Sequence, residues 1–344
     1  MNTSQKLVKS DSITSLPPIA VFAHKRSTYL EACLQAIRES ELFFKRDLPL
    51  YIFCDAPRDD KEKQQVEETI AVAHKYGRGT VVVRERNYGF RNITEGITYL
   101  CDKYERAIII EDDVLISPDF LPFICEALEK YKSDPRIFMA SGFMYFGAQP
   151  STPQTFFLHP AFIWGWATWK RAWDHFVWDA PGWGEFVKDK KQCYLYDCFG
   201  SMPFSKGLRK TMTGLWKAWA PRWMYAMHKA GGLTLYPYRS LVWNCGCGGG
   251  THGKASLDAD PSLGEREYYI HGTMEREEFT KPRLSASVYT GQGFPSDVKM
   301  DRRALRYLAI TFLQERLKQE KRKRWRLHAK LLFQRCALPF TTRR

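Results

Sequence analysis

The strongest constraint on the fold is a series of short, β-rich apolar runs that recur about every 30 residues before position 145. Each run is apolar throughout instead of alternating apolar and polar, which is typical of strands covered by helices on both faces. The rhythm predicts one doubly wound α/β unit with a parallel sheet over residues 18–145. The runs are "PIAVFAH" (18–24), "PLYIFCD" (49–55), "TVVVRER" (80–86), "RAIIIED" (106–112) and "RIFMASG" (136–142).

The segments between the runs have the periodicity of helices. Ser27 is the expected N-cap of the first helix, and Gly77 is the expected stop of the second. The faces predicted to be buried contain Leu30, Leu34 and Ile37 in the first helix and Val66, Ile70 and Ala73 in the second.

The sequence changes character after residue 150, where it becomes rich in aromatic residues and poor in periodicity. Loops, short helices and one or two additional strands are expected there. From residue 299 onward the pattern predicts one or two helices, with Leu305, Leu308 and Phe312 on one face.

Most of the positive charge lies at the C-terminus. The formal net charge is +14, and residues 302–344 alone carry 14 Lys and Arg against Glu315 and Glu320. A basic appendage of this kind fits an acidic surface, and an anionic membrane leaflet is the first candidate partner. The alternative is an ordinary helix packed on the domain with a solvated charged face. Nucleic acid is not expected as a partner, because no recognisable binding module accompanies the charge.

Several absences bear on localisation. No stretch of about 18 uncharged apolar residues occurs, and the first residues lack the apolar middle section of a secretory signal. The nine cysteines, an odd number without zinc-finger spacing, are expected to be reduced thiols. These features predict a cytoplasmic protein, peripheral on the inner face of the plasma membrane where the basic tail binds it.

Four of the predicted strands end in polar residues. In open α/β sheets ligands bind beyond the carboxyl ends of the strands, so these four ends are expected to meet at one pocket. The residues concerned are His24, Lys25 and Arg26; Asp55; Asn87, Tyr88 and Gly89; and Glu111, Asp112 and Asp113.

Glu111, Asp112 and Asp113 follow a very apolar run. Adjacent carboxylates at the end of a buried strand raise one another's pKa and destabilise the fold unless a cation neutralises them. Hard cations take oxygen ligands, and Mg²⁺ commonly uses one or two protein carboxylates while substrate phosphates complete its shell. The cluster therefore predicts a Mn²⁺ or Mg²⁺ site and a phosphate ester as substrate.

The stretch "IIIEDDVLISPDF" resembles the Glu-Asp-Asp strand end of GT-A glycosyltransferases, in particular N-acetylglucosaminyltransferase I and its relatives. The segment "GWATWKRAW" (165–173) is similar in spacing to their "GW" and "LW" segment. A second resemblance, to bacterial sugar transferases of polysaccharide gene clusters, lies in "WAPRW" (219–223) and "SLVWNCGCGGGTH" (240–252). Together these likenesses cover most of residues 18–255, and "NYGFRN" upstream makes the acidic motif more specific.

The resemblance implies a GT-A type Rossmann-like sheet with an aromatic-rich acceptor region. It implies a metal-dependent transferase that moves a sugar from a nucleoside diphosphate sugar, with uridine favoured, to a hydroxyl of a glycan or lipid-linked acceptor in surface polysaccharide synthesis. The implied division is 1–17, a disordered N-terminus; 18–145, the nucleotide-sugar-binding α/β half; 146–298, the acceptor-binding half of the same domain; and 299–344, the basic amphipathic helical tail.

The resemblance also implies roles for single residues. Asp113 and His252 would ligate the metal, Asp112 would contact the donor ribose or sugar, and Glu111 would support the nucleotide site. Helix capping and turn formation are the alternative explanation for the other donor-binding positions, and a loop histidine for His252. Those positions are Ala23, His24, Lys25 and Arg26 lining the nucleotide pocket, Asp55 near the base, and Asn87, Gly89 and Arg91 flanking the donor.

An inverting transferase needs a general base within hydrogen-bond reach of the acceptor hydroxyl. The glucosaminyltransferases carry this carboxylate in a "WDDW"-like segment, whereas "WAPRW" has none. The base is therefore expected to be Asp174, Asp179 or Glu185. Aromatic side chains of the same region either stack on sugar rings or belong to the core, namely Trp164, Trp166, Trp219 and Trp223.

Three other functions fit parts of the sequence. A nucleotidyltransferase would place a Gly-rich, Arg-ended loop after the first strand, and "PIAVFAHKRST" lacks it. A metal-dependent phosphohydrolase would carry a nucleophilic Asp or paired His ligands at that strand, and neither is evident. A catalytically inactive GT-A-like protein that binds glycans or acts as a scaffold stays open, because "WAPRW" lacks the carboxylate.

Overall fold

The computed structural model describes residues 16–76, 78–144, 155–237, 240–246, 294–319 and 324–336. The strands in those residues are β1 Ile19–Ala23, β2 Leu50–Cys54, β3 Thr80–Val83, β4 Arg106–Glu111, β5 Val114–Ile116, β6 Ile137–Ser141, β7 Thr155–Leu158, β8 Trp166–Trp169, β9 Leu233–Pro237 and β10 Val242–Asn244. The helices are α1 Ser27–Glu39, α2 Glu41–Arg46, α3 Lys63–Lys75, α4 Phe90–Tyr104, α5 Phe120–Lys130, α6 Lys170–Trp173, α7 Trp183–Phe186, α8 Lys190–Tyr196, α9 Phe204–Met212, α10 Ala220–Lys229, α11 Arg302–Gln319 and α12 Arg324–Cys336.

Eight strands form one sheet in the order β3-β2-β1-β4-β8-β6-β9-β7. β1 pairs in parallel with β2 and β4, and β2 pairs in parallel with β3. β8 lies antiparallel between β4 and β6, so β4 and β6 run in the same direction without pairing. All five predicted strands are present in one orientation, which confirms the α/β class. The predicted parallel arrangement of these five strands is confirmed, although the sheet as a whole is mixed because β7 and β8 run antiparallel to their neighbours.

The region after residue 150 contributes more strands than the one or two expected. β7, β8 and β9 join the main sheet, and β10 pairs antiparallel with β5 in a separate two-stranded sheet. These strands have three to five residues, and every residue of β7 and β8 is buried. Strands this short and this buried show no alternation of apolar and polar residues, so periodicity does not reveal them.

The two predicted helices are α1 and α3. α1 already includes Ser27, and its N-cap is Arg26, so the prediction that Ser27 caps it is wrong. Gly77, the expected stop of α3, lies outside the described residues. The predicted buried faces are confirmed, with Leu30, Leu34 and Ile37 buried in α1 and Val66 and Ala73 buried in α3, where Ile70 is partly buried.

The main sheet has a hydrophobic cluster on each face, because alternate residues of β1 point to opposite sides. Trp166, Trp219 and Trp223 belong to one of these clusters with Trp173, and neighbouring ring centroids lie 5.0 to 6.2 Å apart. Trp166 and Trp223 are fully buried. These three tryptophans are therefore core residues and not sugar platforms, whereas Trp164 is only partly buried.

α11 packs on the main domain through the predicted face. Leu305, Leu308 and Phe312 are buried in the larger hydrophobic cluster, and α11 contacts β7. The apolar face of α11 is thus covered by the domain, as expected for an ordinary helix that packs on the domain. In the described part of the chain no helix is both long enough and apolar enough to cross a bilayer.

At the carboxyl edge of the sheet, two glycines allow neighbouring segments to pack closely. Gly142 N donates to Gly165 O over 2.7 Å, and a Cβ on Gly142 would lie 2.5 Å from Cδ2 of Phe120. The pair β5 and β10 lies next to these glycines, because a Cβ on Gly165 would meet Cγ1 of Val242 at 2.7 Å. This packing holds the segment after β10 close to the end of β4.

Candidate functional site

The three predicted carboxylates gather with Arg26 at the carboxyl end of β4. Arg26 Nε donates to Asp112 Oδ2 over 3.2 Å, Nη2 pairs with Asp112 Oδ1, and Nη1 donates to Asp113 Oδ2 over 2.8 Å. Asp112 is 2% exposed, and Glu111 lies beside Phe22 of β1. Within the described part of the chain, one guanidinium thus faces three carboxylates, which leaves two negative charges without a counter-ion when all three are ionised.

Burial, together with this excess of negative charge, shifts the pKa values of the cluster. Burial, followed by the charges of Asp113 and Asp112, raises the pKa of Glu111 to about 8. Burial also raises the pKa of Asp112 to about 6, although Arg26 opposes the shift. Burial lowers the pKa of Arg26, but the two aspartates more than offset this and hold it above its usual range. An additional cation would therefore favour ionisation of Glu111 and Asp112.

Cys245 and Gly246 pack directly on Asp113. The backbone N–H of Cys245 donates to Asp113 O over 2.8 Å, and its thiol lies 3.2 Å from the same oxygen. A Cβ on Gly246 would lie 2.0 Å from Asp113 Oδ2. Only glycine fits this approach, so the glycine-rich stretch begins against the acidic cluster. The sequence signal was the concentration of glycines after position 245, from which Gly246 itself was not singled out.

Asp55, at the end of β2, is occupied by hydrogen bonds from its own neighbourhood. Its carboxylate accepts from the backbone N–H of Tyr88 (2.8 Å), Gly89 (2.7 Å) and Ala56 (3.0 Å), and from Asn87 Nδ2 (3.2 Å). Gly89 has φ 56° and ψ −130°, a backbone conformation that requires glycine. Asp55 thus fixes the turn that leads into α4 and holds Asn87 and Gly89 at the carboxyl end of β2.

The residues after β1 lie beside Glu62, which sequence reasoning missed. Lys25 Nζ donates to Glu62 Oε1 over 2.6 Å, and His24 Nε2 lies 3.2 Å from Glu62 Oε2. Burial is the main cause that lowers the pKa of His24, even though Glu62 and Asp55 act in the opposite direction. Ala23 takes part through its carbonyl, which accepts from Asp55 N over 2.9 Å. The ends of β1 and β2 are therefore joined directly.

Arg91 stacks on Trp178, and a second arginine stacks on the same indole. The guanidinium carbon of Arg91 lies 4.3 Å from the ring centroid of Trp178, and that of Arg222 lies 4.5 Å from it. Arg222 also donates from Nε to Trp178 O over 2.7 Å. Burial lowers the pKa of Arg222, with Asp179 opposing and Arg91 adding to the shift. Among the described residues no carboxylate lies within ion-pair distance of either arginine.

The three expected general bases lie in different places. Asp174 is exposed and pairs with Lys170 over 2.8 Å, and Lys170 N donates to Glu105 O at the start of β4. Asp174 is therefore near the amino end of β4, opposite to Asp113. Glu185 is exposed on α7 and pairs with Lys188. Asp179 follows Trp178 and influences Arg222, which places it beside the Arg91 stack.

The cluster offers donor atoms that suit a hard divalent cation, since Mg²⁺ and Mn²⁺ prefer carboxylate oxygens. In the ranges that the structure describes, no group of three or more His, Cys, Asp or Glu side chains is arranged to hold a metal. An ion bound here would take Asp113 as a ligand, because both carboxylate oxygens of Asp112 already pair with Arg26. His252, the other expected ligand, lies outside the described residues.

No protein-family model matches the chain, and no curated protein is similar to it in sequence. Among solved structures it is similar to a cytidylyltransferase from Leptospira borgpetersenii, at 12% identity and a TM-score of 0.32, over 47% of this chain and 63% of the other. It is similar to GalNAc-T7 with UDP, GalNAc and Mn²⁺, at 13% identity and a TM-score of 0.41, over 67% of this chain and 44% of the other. It is also similar to a mannosyltransferase from Pyrobaculum calidifontis with GDP-Man and Mn²⁺, at 14% identity and a TM-score of 0.34, over 74% of this chain and 83% of the other. The chain spans less than two thirds of the first two structures, and similarity this distant does not define an activity.

Proposed function

We propose that the protein is a metal-dependent glycosyltransferase that moves a sugar from a nucleoside diphosphate sugar to a hydroxyl group. The observation that carries the proposal is the cluster of Glu111, Asp112 and Asp113 at the carboxyl edge of a Rossmann-like sheet, where one guanidinium pairs with the two aspartates and, among the described residues, Glu111 forms no ion pair of its own. Such a cluster has an excess of negative charge that a divalent ion and its bound diphosphate would balance. A UDP-linked donor is favoured, as the resemblance implies.

The donor would lie across the ends of β1, β2 and β4. Asp113 would hold the ion, which when bound neutralises the charge of the departing diphosphate, and Asp112 would contact the donor ribose or sugar. Arg26 is placed to neutralise the same carboxylates before the donor arrives. His24 and the turn held by Asp55 would line the nucleotide pocket, and Arg91 at the start of α4 would face the donor.

Asp179 is the general base that the geometry favours among the three expected ones. It follows Trp178, whose ring is contacted by the guanidinium groups of both Arg91 and Arg222. Arg91 lies at the start of α4. Asp174 sits at the other end of β4, and Glu185 pairs with Lys188 on the surface. A carboxylate within reach of the acceptor hydroxyl accelerates transfer by about 100-fold or more.

The acceptor is proposed to be a glycan or a lipid-linked saccharide of surface polysaccharide synthesis, used at the inner face of the plasma membrane. α11 uses its apolar face for the domain core, so membrane contact by the basic tail would fall to α12. Leu332 and Phe333 of α12 are 59% and 62% exposed, and Lys330 is exposed beside them. Exposed apolar residues among basic ones favour an anionic membrane surface.

A second function, binding of a sugar nucleotide or glycan without catalysis, is favoured by one observation. Arg26 already pairs with both aspartates, so the cluster has an internal counter-ion. In such a protein a divalent ion would add nothing to the affinity for a nucleoside diphosphate.

A donor-hydrolysis screen separates the two functions. Native protein is incubated with nucleotide sugars with and without Mn²⁺, and release of nucleoside diphosphate is compared with that of Asp113→Asn. The proposal expects Mn²⁺-dependent turnover that falls about 100-fold or more in the variant. Equal turnover in both proteins would refute the assignment of Asp113, and donor binding without turnover in calorimetry would favour the non-catalytic function.

The base is tested in the same assay with an acceptor present. Asp179→Asn is expected to lower transfer by about 100-fold or more while leaving donor affinity unchanged. Asp174→Asn and Glu185→Gln are the matched controls, because their carboxylates lie away from the cluster. A loss of transfer in either control that exceeds the loss in Asp179→Asn would assign the base elsewhere.

A further inference from the structure

The turn between α9 and α10 projects apolar side chains into solvent. In residues 213–217, which we call the tip, Leu215 is 80% exposed and Trp216 is 40% exposed. Leu215 is the most exposed of the large hydrophobic residues in the described part of the chain. The Trp216 ring lies over Gly207 of α9, since a Cβ there would be 3.3 Å from its Cζ3. The tip therefore presents one free aliphatic side chain and the outer part of an indole.

The tip has a defined backbone. Thr213 N donates to Arg209 O over 3.0 Å, Gly214 N donates to Thr211 O over 3.2 Å, and Trp216 N donates to Lys210 O over 3.0 Å. Gly214 has φ 76° and no atom near the position of a Cβ, so it makes the turn at which the chain reverses. These bonds fold the tip back on the end of α9 and fix the direction in which Leu215 projects.

The sequence on either side of the tip is basic. No Asp or Glu occurs between Asp197 and Asp258, whereas that interval holds eight Lys and Arg. Four of them lie on α9 and the tip and are exposed, namely Lys206, Arg209, Lys210 and Lys217. Asp197 is bonded to Ser205 at the beginning of α9, the end of the helix remote from the tip. The charge of the tip is thus not balanced by neighbouring acids of this interval.

We propose that the tip is a membrane-docking element that inserts Leu215 and Trp216 into the interface of an anionic bilayer while its lysines contact the headgroups. Tryptophan and leucine at a turn enter the headgroup and acyl boundary, and each Lys or Arg near an anionic surface strengthens the attraction. A protein partner fits less well, because two projecting side chains supply a small part of the area that a stable interface buries. A nucleic acid would use the lysines but would leave Leu215 in water.

The tip is close to the proposed acceptor side. Trp216 precedes Arg222, which binds the backbone of Trp178, by six residues. Six residues span at most about 20 Å, so a bilayer at the tip lies within that distance of Arg222. If the proposed transfer to a lipid-linked saccharide holds, docking at the tip would bring the acceptor headgroup to the same edge of the sheet as the donor.

Co-sedimentation of the full-length protein with vesicles tests the tip directly. Phosphatidylcholine vesicles are compared with vesicles that contain about one third phosphatidylglycerol, in the absence of donor and metal. The double variant Leu215→Ser with Trp216→Ser is expected to bind the anionic vesicles at least about tenfold more weakly than the native chain. Lys210→Glu with Lys217→Glu is expected to weaken binding to anionic vesicles by a similar factor and to leave binding to neutral vesicles unchanged.

Two controls decide between explanations. Phe44→Ser removes an equally exposed aromatic residue beside Lys45, whose charge is paired with Glu41, and is expected to leave vesicle binding unchanged. Leu332→Ser with Phe333→Ser measures the separate contribution of α12. The proposal is overturned if the tip variant binds the vesicles as tightly as the native chain does. It is also overturned if light scattering shows that the native chain is an oligomer and the tip variant is a monomer. Because no donor is present, failure of the transferase assay leaves this outcome unaffected.

Discussion

The carboxyl ends of β2 and β4 present carboxylates to the same edge of the sheet, yet the two ends satisfy them differently. Asp55 after β2 accepts four hydrogen bonds from neutral N–H donors, one from Ala56 and three from the turn that precedes α4. At β4, the guanidinium of Arg26 pairs with Asp112 and Asp113, and Glu111 adds a third carboxylate to the same cluster. A carboxylate that accepts hydrogen bonds from nearby N–H groups at all its acceptor positions fixes the conformation of the surrounding backbone. Carboxylates that outnumber their cationic partners can still bind a positively charged ligand.

Removal of the guanidinium at β4 is expected to have the largest effect on stability. Arg26→Gln leaves three carboxylates without a counter-ion, and loss of one partner of a buried ion pair costs about 3 kcal/mol or more. Urea denaturation at pH 8 measures the free energy of unfolding. Added Mn²⁺ is expected to restore part of the loss if the cluster binds a divalent ion, and an Arg26→Gln protein as stable as the native one would contradict the account of the cluster.

Removal of the carboxylate at β2 is expected to lower the free energy of unfolding by about 2 kcal/mol, since Asp55→Ala leaves four N–H donors without their acceptor. Mn²⁺ is expected to restore none of this loss, because Asp55 acts through hydrogen bonds to the turn. Asp60→Ala is the matched control. Its pair with Lys63 is exposed and screened by solvent, so little change in stability is expected.

Gly246→Ala is expected to disturb the β4 end alone. The new Cβ would meet Asp113 Oδ2 at 2.0 Å, so the carboxylate must move. We expect about tenfold weaker Mn²⁺-dependent binding of a nucleoside diphosphate, measured by calorimetry, because the substitution displaces the carboxylate of Asp113, the proposed metal ligand. Gly184→Ala on α7 meets no atom within 4 Å and serves as the control. Equal affinity in the two variants would argue against Asp113 as a ligand.

The same cluster is also expected to affect the pH dependence of stability. Burial raises the pKa of Glu111 to about 8 and that of Asp112 to about 6, so the folded protein holds protons that the unfolded chain has released. Their contribution to stability is complete below the unfolded pKa values near 4 and is lost as the pH rises to about 8. Denaturation at several pH values without metal is expected to show this decline, and Glu111→Gln is expected to flatten it. An unchanged slope in the variant would remove Glu111 as its cause.

The acidic cluster and the strands that position it were predictable because their signals are local. A strand buried on both faces, followed at once by charged residues, defines both the strand and its carboxyl end, as at Ile110 and Glu111. The helix faces of α1 were equally clear. The hydrogen bonds of Asp55 were not predictable, because they depend on a turn more than 30 residues away in the sequence, and Glu62 beside Lys25 was hidden for the same reason.

The position of Asp174 shows why strand direction matters. If all strands ran in parallel, the residues after β8 would lie at the same edge of the sheet as Asp113. β8 runs antiparallel to β4, so the chain leaves it at the opposite edge, where Lys170 meets the backbone of Glu105. Direction is set by how β8 pairs with β4 and β6, and four buried residues in a row carry no information about that pairing.

The insertion of β8 between β4 and β6 also bears on how the chain can be divided. A fragment that ended near residue 145 would contain β4 and β6 but not the strand that joins them, so each would present an open backbone edge to solvent. We expect two fragments cut between β6 and β7 to be unfolded or insoluble alone and to form a complete sheet only when they are combined. The protein is in this sense suited to conversion into a split reporter, in which function returns when two halves meet.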